Sequence, residues 1–264
     1  MKAIVFDNAG TILQRKTIIK DMSTKKVFFN TDTIGIANKN NKNIIVVFQT
    51  PVDELYDFRD MSIREFMLMH ESSFEIAYSQ IKVTDDELLD VIADDAKISD
   101  ILETYEVLLT ENVRIISGAA LIVNIFTGEI THVYTAGGLL FGYTSDVMDF
   151  LKKEGFEIYI ASGDNKHSLN EISSILNIAK NNIYSTCNVN CKEAVIEKLQ
   201  KEGYYVYMVG NHTNDLLAIK KADTGILTLQ QRELLPKRLI SEADYVISSI
   251  DMVIDVVKKE SDNR

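Results

Sequence analysis

The run Ala3-Ile4-Val5-Phe6 passes directly into Asp7-Asn8-Ala9-Gly10-Thr11. A short apolar run rich in β-branched residues and closed by turn residues reads as a buried strand. Asp7 then stands at the strand's C-terminal tip, where open α/β sheets gather their ligand sites. A carboxylate in that position is available as a nucleophile, a metal ligand or both.

Outward from this segment, residues 136 to 260 alternate strand and helix, the pattern of a parallel sheet. Strands are expected at 157–161, 182–185, 204–209, 224–227 and 245–248, with helices at 145–154, 166–176, 192–202, 214–221 and 252–259. Asn190 is positioned to cap the helix at 192. Right-handed crossovers allow the N-terminal strand to join this distant sheet. The expected fold class is therefore α/β: a doubly wound, Rossmann-like parallel sheet from residues 1–14 and 137–264, with residues 15–136 inserted as an α+β cap domain.

Within the insertion, residues 26–30, 33–37 and 43–49 read as antiparallel strands, with Asn38-Lys39-Asn40-Asn41 as a turn. Capping boxes at Ser62-x-x-Glu65 and Thr84-x-x-Glu87 start two helices, and a third runs over 99–109. Strands follow at 113–116, 121–126 and 129–134, with Gly137-Gly138 as a hinge-like return.

The chain has 264 residues, 46% of them hydrophobic, with only 2 prolines and no repeat, which excludes a solenoid or a disordered chain. A formal charge of −11 disfavours nucleic acid and anionic membranes as partners. The uncharged stretch Ile115 to Gly128 is too short and too polar for a membrane span. The N-terminus lacks the regions of a signal peptide, so the cytoplasm is the expected location. Cys187 and Cys191 lack a second ligand pair for a tetrahedral metal site and read as reduced thiols.

Four segments carry complementary chemistry for phosphoryl transfer. Asp7 can attack phosphorus while a divalent metal screens the repulsion between anions. Ser162-Gly163-Asp164, after the strand at 157–161, offers a hydroxyl and backbone N–H groups for phosphoryl oxygens. Lys192, at a helix start, can neutralise charge shared by Asp7 and a phosphoryl group. Gly210-Asn211-His212-Thr213-Asn214-Asp215 places oxygen ligands, Asn211 and Asp215, four residues apart on a loop suited to Mg²⁺. His212 reads as solvent-facing and stays outside the site.

The ordered set DNAGT, SGD, Lys192 and GNHTND resembles the haloacid dehalogenase-like superfamily of phosphotransferases. The stretch from Asp146 to Ile226 is most similar to the phosphorylation domain of P-type ATPases, above all around Lys192, Leu199-Gln200 and Met208 to Leu217. The cap is not matched. The resemblance implies that Asp7 is phosphorylated, that Ser162 and Lys192 contact the phosphoryl group, and that Asp215 is a metal-site carboxylate. It further implies that the Ala9 carbonyl faces the metal, that Thr11 steadies the turn and that Asn214 supports the metal loop.

Two departures qualify these roles. Ala9 stands where hydrolytic members carry an aspartate that protonates the leaving group, so fast hydrolysis is not expected. P-type ATPases also lack that aspartate and use a Thr-Gly-Glu loop. Thr127-Gly128-Glu129 offers Glu129 as such a base, although a hairpin turn explains the same residues. Asn211, in place of an aspartate, brings no charge and weakens metal binding.

The expected activity is a Mg²⁺-dependent phosphatase or phosphotransferase acting on a small phosphorylated metabolite, nucleotides included. The alternatives are a regulatory phosphate-binding module and a phosphonate hydrolase, which needs a cap lysine that nothing here singles out.

Overall fold

The computed structural model describes residues 1–70, 73–232 and 237–262. In chain order the strands are β1 (Lys2–Phe6), β2 (Leu13–Asp21), β3 (Val27–Phe29), β4 (Asn43–Phe48), β5 (Phe74–Tyr78), β6 (Ile115–Asn124), β7 (Ile130–Leu140), β8 (Phe156–Ala161), β9 (Ile183–Tyr184), β10 (Tyr205–Gly210), β11 (Thr224–Thr228) and β12 (Tyr245–Ile247). The helices are α1 (Thr33–Asn38), α2 (Ile63–Met69), α3 (Asp85–Val91), α4 (Ile98–Leu109), α5 (Thr144–Lys153), α6 (Lys166–Ile175), α7 (Val189–Lys201), α8 (Leu216–Lys221), α9 (Lys237–Glu242) and α10 (Met252–Asp262).

The chain divides into two compact units. The first comprises Met1–Gln14, Leu140–Ser162 and Leu169–Arg264; the second comprises Arg15–Leu139 and the short segment Gly163–Ser168.

In the first unit the sheet order is β12-β11-β10-β1-β8-β9, and every pair is parallel. Ala3 through Phe6 are all fully buried, as expected of a central strand covered on both faces. Ala3 and Val5 pack with Val195, Ile196 and Leu199 of α7 and Ala218 and Ile219 of α8. The intervening Ile4 and Phe6 point to the opposite face. Phe6 pairs with Val209 on one side and Ile160 on the other, so Asp7 emerges level with the tips of β10 and β8.

In the second unit the sheet order is β3-β2-β7-β6-β4-β5. One face, including Ile44, Val46, Phe48, Leu121 and Val123, packs against Ile63, Phe66 and Met67 of α2, Leu88 of α3 and Ile101 and Leu102 of α4. Ile45, Val47, Ala120, Ile122 and Tyr134 form a smaller cluster with Ile19 and Ala37. Thr84 and Glu87 make the reciprocal bonds of a full capping box, whereas Ser62 Oγ accepts the Glu65 N–H at 3.1 Å.

Several elements depart from the sequence expectations. Residues 33–37 form helix α1, because Asp32 Oδ1 accepts the Gly35 N–H at 2.8 Å and starts a helical turn that buries Thr33 and Ala37. Strand β2 was not anticipated; its polar residues mask the alternation, and buried Lys20 is compensated by Asp100, at 2.8 Å, and by Glu103. Gly137 and Gly138 lie within β7, paired with Ile116 and Ile115, and form no hinge. The expected strands 113–116 and 121–126 are one continuous strand, β6. Helix α7 begins three residues earlier than expected, at Val189. Its cap is Asn188, whose side chain accepts the Cys191 N–H at 3.0 Å; Asn190 lies inside the helix. Helix α9 had no counterpart in the sequence reading.

Thr127-Gly128-Glu129 is the tip of the β6–β7 hairpin, and Gly128 has φ +74°. A Cβ there would lie 1.7 Å from the Val91 carbonyl oxygen. Gly128→Ala is expected to lower stability by about 2–4 kcal/mol, through backbone strain plus this overlap. Urea denaturation reads the effect, and an unchanged midpoint contradicts the described turn.

Candidate active site

The turn after β1 is built by one carbonyl. Asn8 O accepts the N–H groups of Thr11, Ile12 and Leu13 at 2.9–3.0 Å, while the Asp7 N–H extends the ladder to Val209 O at 2.9 Å. Gly10 adopts φ +87°, and a Cβ there would lie 2.2 Å from the near atom of the Asn211 side-chain amide. Glycine is required at this position, since the turn must approach the β10 loop closely.

Asp7 is 4% exposed, and Lys192 and Asp215 are fully buried. Lys192 Nζ donates to Asp7 Oδ1 at 2.5 Å and to Asp215 Oδ1 at 2.6 Å. Asp215 Oδ2 in turn accepts the backbone N–H groups of Asn211 (2.9 Å) and His212 (3.0 Å). The ammonium thus joins three elements: the tip of β1, the loop between β10 and α8, and the first turn of α7. Burial alone would lower the Lys192 pKa, but the facing Asp215 and Asp7 carboxylates outweigh it and hold the pKa above its ordinary value.

Thr11 Oγ1 lies 3.4 Å from Asp7 Oδ2. With its amide oriented to satisfy its neighbours, Asn211 donates to Ala9 O at 3.0 Å and to Asp7 Oδ2 at 3.3 Å. Asp7, Ala9, Thr11, Lys192, Asn211 and Asp215 therefore converge at the C-terminal edge of the parallel sheet. Ser162 lies at the tip of β8, beside β1, and is 2% exposed; its carbonyl accepts the Cys187 N–H at 2.8 Å. Gly163 groups with the second unit. The Asn214 Oδ1 atom is buried without a hydrogen-bond partner.

Three side chains correct or extend the sequence reading. His212 is buried, 9% exposed, rather than solvent-facing, because its N–H closes the Asp215 turn. Gln230 was missed: its amide donates to Thr11 O and accepts the Ile250 N–H at 2.9 Å, bracing the turn after β1 from the far side of the sequence. Cys187 and Cys191 form a disulfide rather than two thiols. The turn capped by Asn188 folds the chain back so that their Cα atoms stand 5.2 Å apart, within bonding range.

A family model described as haloacid dehalogenase-like hydrolase matches residues 1–223. A soluble P-type ATPase-like phosphatase of Methanocaldococcus jannaschii is 28% identical over 257 residues, 97% of this chain and 93% of that protein. A probable copper-importing P-type ATPase A of Enterococcus hirae is 34% identical over 76 residues, 29% of this chain and 10% of the ATPase. The chain thus spans only about a tenth of the copper ATPase's length. Among solved structures, the catalytic domain of the CPx-ATPase CopB-B aligns with TM-score 0.43 and 19% identity, covering 86% of this chain and 78% of that one.

Removing the ammonium leaves two buried carboxylates facing each other. Lys192→Met is expected to cost about 3–5 kcal/mol at pH 7. The deficit should shrink toward pH 5, because protonating one carboxylate relieves the repulsion. In the native protein the raised Lys192 pKa contributes stability that is fully present below pH 10.5, its ordinary value, and is lost only as pH rises through the raised one. Denaturant titrations across pH measure both trends; a pH-independent deficit in the variant contradicts the geometry.

Proposed function

Because the chain belongs to the haloacid dehalogenase-like hydrolase family, we propose that this hydrolase is a Mg²⁺-dependent phosphatase that forms an aspartyl-phosphate on Asp7. The observation that carries this reading is the buried Lys192 ammonium bridging Asp7 and Asp215 at the tip of the central strand. The phosphatase relative from Methanocaldococcus jannaschii supports the same class of chemistry.

The donor set fits Mg²⁺. Asp7 Oδ2 and the Ala9 carbonyl both face the Asn211 side chain, and all are hard oxygen-type positions once that amide rotates to present its oxygen. Asp7, Ala9, Asn211 and Asp215 would hold the ion, which supplies charge screening between the carboxylate and the phosphoryl group.

Asp7 attacks phosphorus with one carboxylate oxygen, and the leaving group departs with the bridging electron pair. Lys192 pairs with Asp7 and neutralises part of the charge that develops on the phosphoryl oxygens. The Ser162 hydroxyl orients those oxygens. Ala9 has no proton to give, so the leaving group must depart unassisted or take its proton from water. Glu129 sits exposed in a hairpin turn of the second unit.

Activity should therefore favour acidic leaving groups. Phosphate release from p-nitrophenyl phosphate is expected to exceed that from an alkyl phosphate by on the order of a hundredfold, the usual worth of the missing acid. Asp7→Asn should abolish release from both. Equal rates for the two esters, or residual native activity in Asp7→Asn, contradict the mechanism; no release from any ester with or without Mg²⁺ favours a regulatory module.

Restoring a second carboxylate in the loop should tighten Mg²⁺. Asn211→Asp is expected to lower the Mg²⁺ dissociation constant about tenfold, since one added charge contributes roughly 1.4 kcal/mol near a partly buried cation. Calorimetric titration reads this directly, and unchanged affinity removes Asn211 from the metal loop.

A further inference from the structure

The Cys187–Cys191 disulfide closes a five-residue loop immediately before Lys192. That loop contains the helix cap: the Asn188 side chain holds the Cys191 N–H at 3.0 Å, and the Asn188 carbonyl accepts the Lys192 N–H at 2.9 Å. Its other end is anchored to the site as well, since the Cys187 N–H donates to Ser162 O at 2.8 Å. The Cys187 N–H bond to Ser162 O, the exposed Asn188 cap and the disulfide together tie the segment just before Lys192 to the tip of β8.

We propose that Cys187 and Cys191 are a reversible dithiol–disulfide modification site whose oxidised form holds Lys192 in place between Asp7 and Asp215. This goes beyond the phosphatase reading and uses it only in one arm of the test. Cys187 is buried, 1% exposed, whereas Cys191 is partly open to solvent. An incoming dithiol therefore meets the Cys191 sulfur first.

One thiolate of the dithiol attacks the Cys191 sulfur, forming a mixed disulfide, and the Cys187 sulfur leaves with the bond's electron pair and takes up a proton. The second thiolate of the dithiol then displaces the Cys191 sulfur, which is protonated in turn. The dithiol is oxidised to its cyclic disulfide, and two electrons and two protons reach the cysteines. Oxidised glutathione reverses the exchange.

A disulfide with one sulfur partly open to solvent is within reach of thiol exchange, so the pair suits a sensor better than a permanent brace. The consequence for the site follows from the geometry. Without the bridge, the first turn of α7 depends on a solvent-exposed Asn188 cap, and the Lys192 ammonium loses part of what fixes its approach to the two carboxylates. A displacement of about 1 Å at such a group can cost as much as a hundredfold in rate.

The test treats the full chain with oxidised glutathione or with dithiothreitol and follows three readouts. Maleimide labelling followed by mass spectrometry should find no free thiol after oxidation and two after reduction. Amide hydrogen exchange at Cys191, Lys192 and Glu193 should quicken at least ~10-fold on reduction, with α10 unchanged. The kcat toward p-nitrophenyl phosphate should fall roughly 5- to 100-fold on reduction at little-changed KM, and recover on reoxidation. The Cys187→Ser/Cys191→Ser double variant should sit at the reduced level and ignore both reagents. Thiols that stay labelled after oxidation, equal exchange in the two states, or a double variant that still responds overturns the proposal. A protein inactive in both states defeats the phosphatase reading alone, because labelling and exchange still decide the redox site.

Discussion

A lysine ammonium with no exposure to solvent, held between two carboxylates, governs how the first unit can be assembled. Desolvating a charge costs several kcal/mol, and only close, hydrogen-bonded counter-charges offset it. Asp7 comes from the tip of β1, Asp215 from the loop after β10, and Lys192 from the first turn of α7. These segments are about two hundred residues apart at the extremes, so the ion triad is satisfied only when β1 inserts between β10 and β8 in the parallel sheet. The hydrophobic core makes that arrangement stable, and the triad makes alternatives costly. A shifted register would strand at least one buried charge.

The same constraint shapes the proposed chemistry. Lys192 and the two aspartates sum to one negative charge, and backbone N–H groups hold Asp215 while Asp7 remains at the strand tip. Asp7 is thus paired with an ammonium at the strand tip, where the proposed mechanism uses its carboxylate as the nucleophile. Ala9 then separates the two halves of the reaction: the turn presents a nucleophile but offers no adjacent acid. In the proposed mechanism this makes the leaving group's own acidity decisive. It also leaves the second half-reaction without an evident base, consistent with a slow phosphatase.

How much of this could be read in the sequence depends on how local each interaction is. Strand β1 and the segments at Ser162, Lys192 and Asp215 were readable because burial patterns and strand-tip chemistry are written within a few residues. Lys20 was not, because its partners Asp100 and Glu103 lie some eighty residues away and no local pattern announces a buried lysine. Thr33 to Ala37 misled because β-branched side chains favour strands, and a single aspartate cap reversed that preference. Asn190 was read as the cap of α7, but Asn188 two residues earlier holds that place, and the misplaced start also hid the turn that brings Cys187 to Cys191. Gln230, reaching Thr11 from the far end of the chain, carries no motif at all.

The most direct measurement is covalent trapping on the acceptor itself. The native chain would be mixed with p-nitrophenyl phosphate and Mg²⁺, quenched in acid within the first turnover and reduced with borohydride, which converts an acyl-phosphate to an alcohol. Peptide mapping should then find homoserine at position 7 in place of Asp7. Phosphate release with an unmodified position 7, or reduction at another carboxylate, would show that the buried triad serves some purpose other than presenting Asp7 to phosphorus.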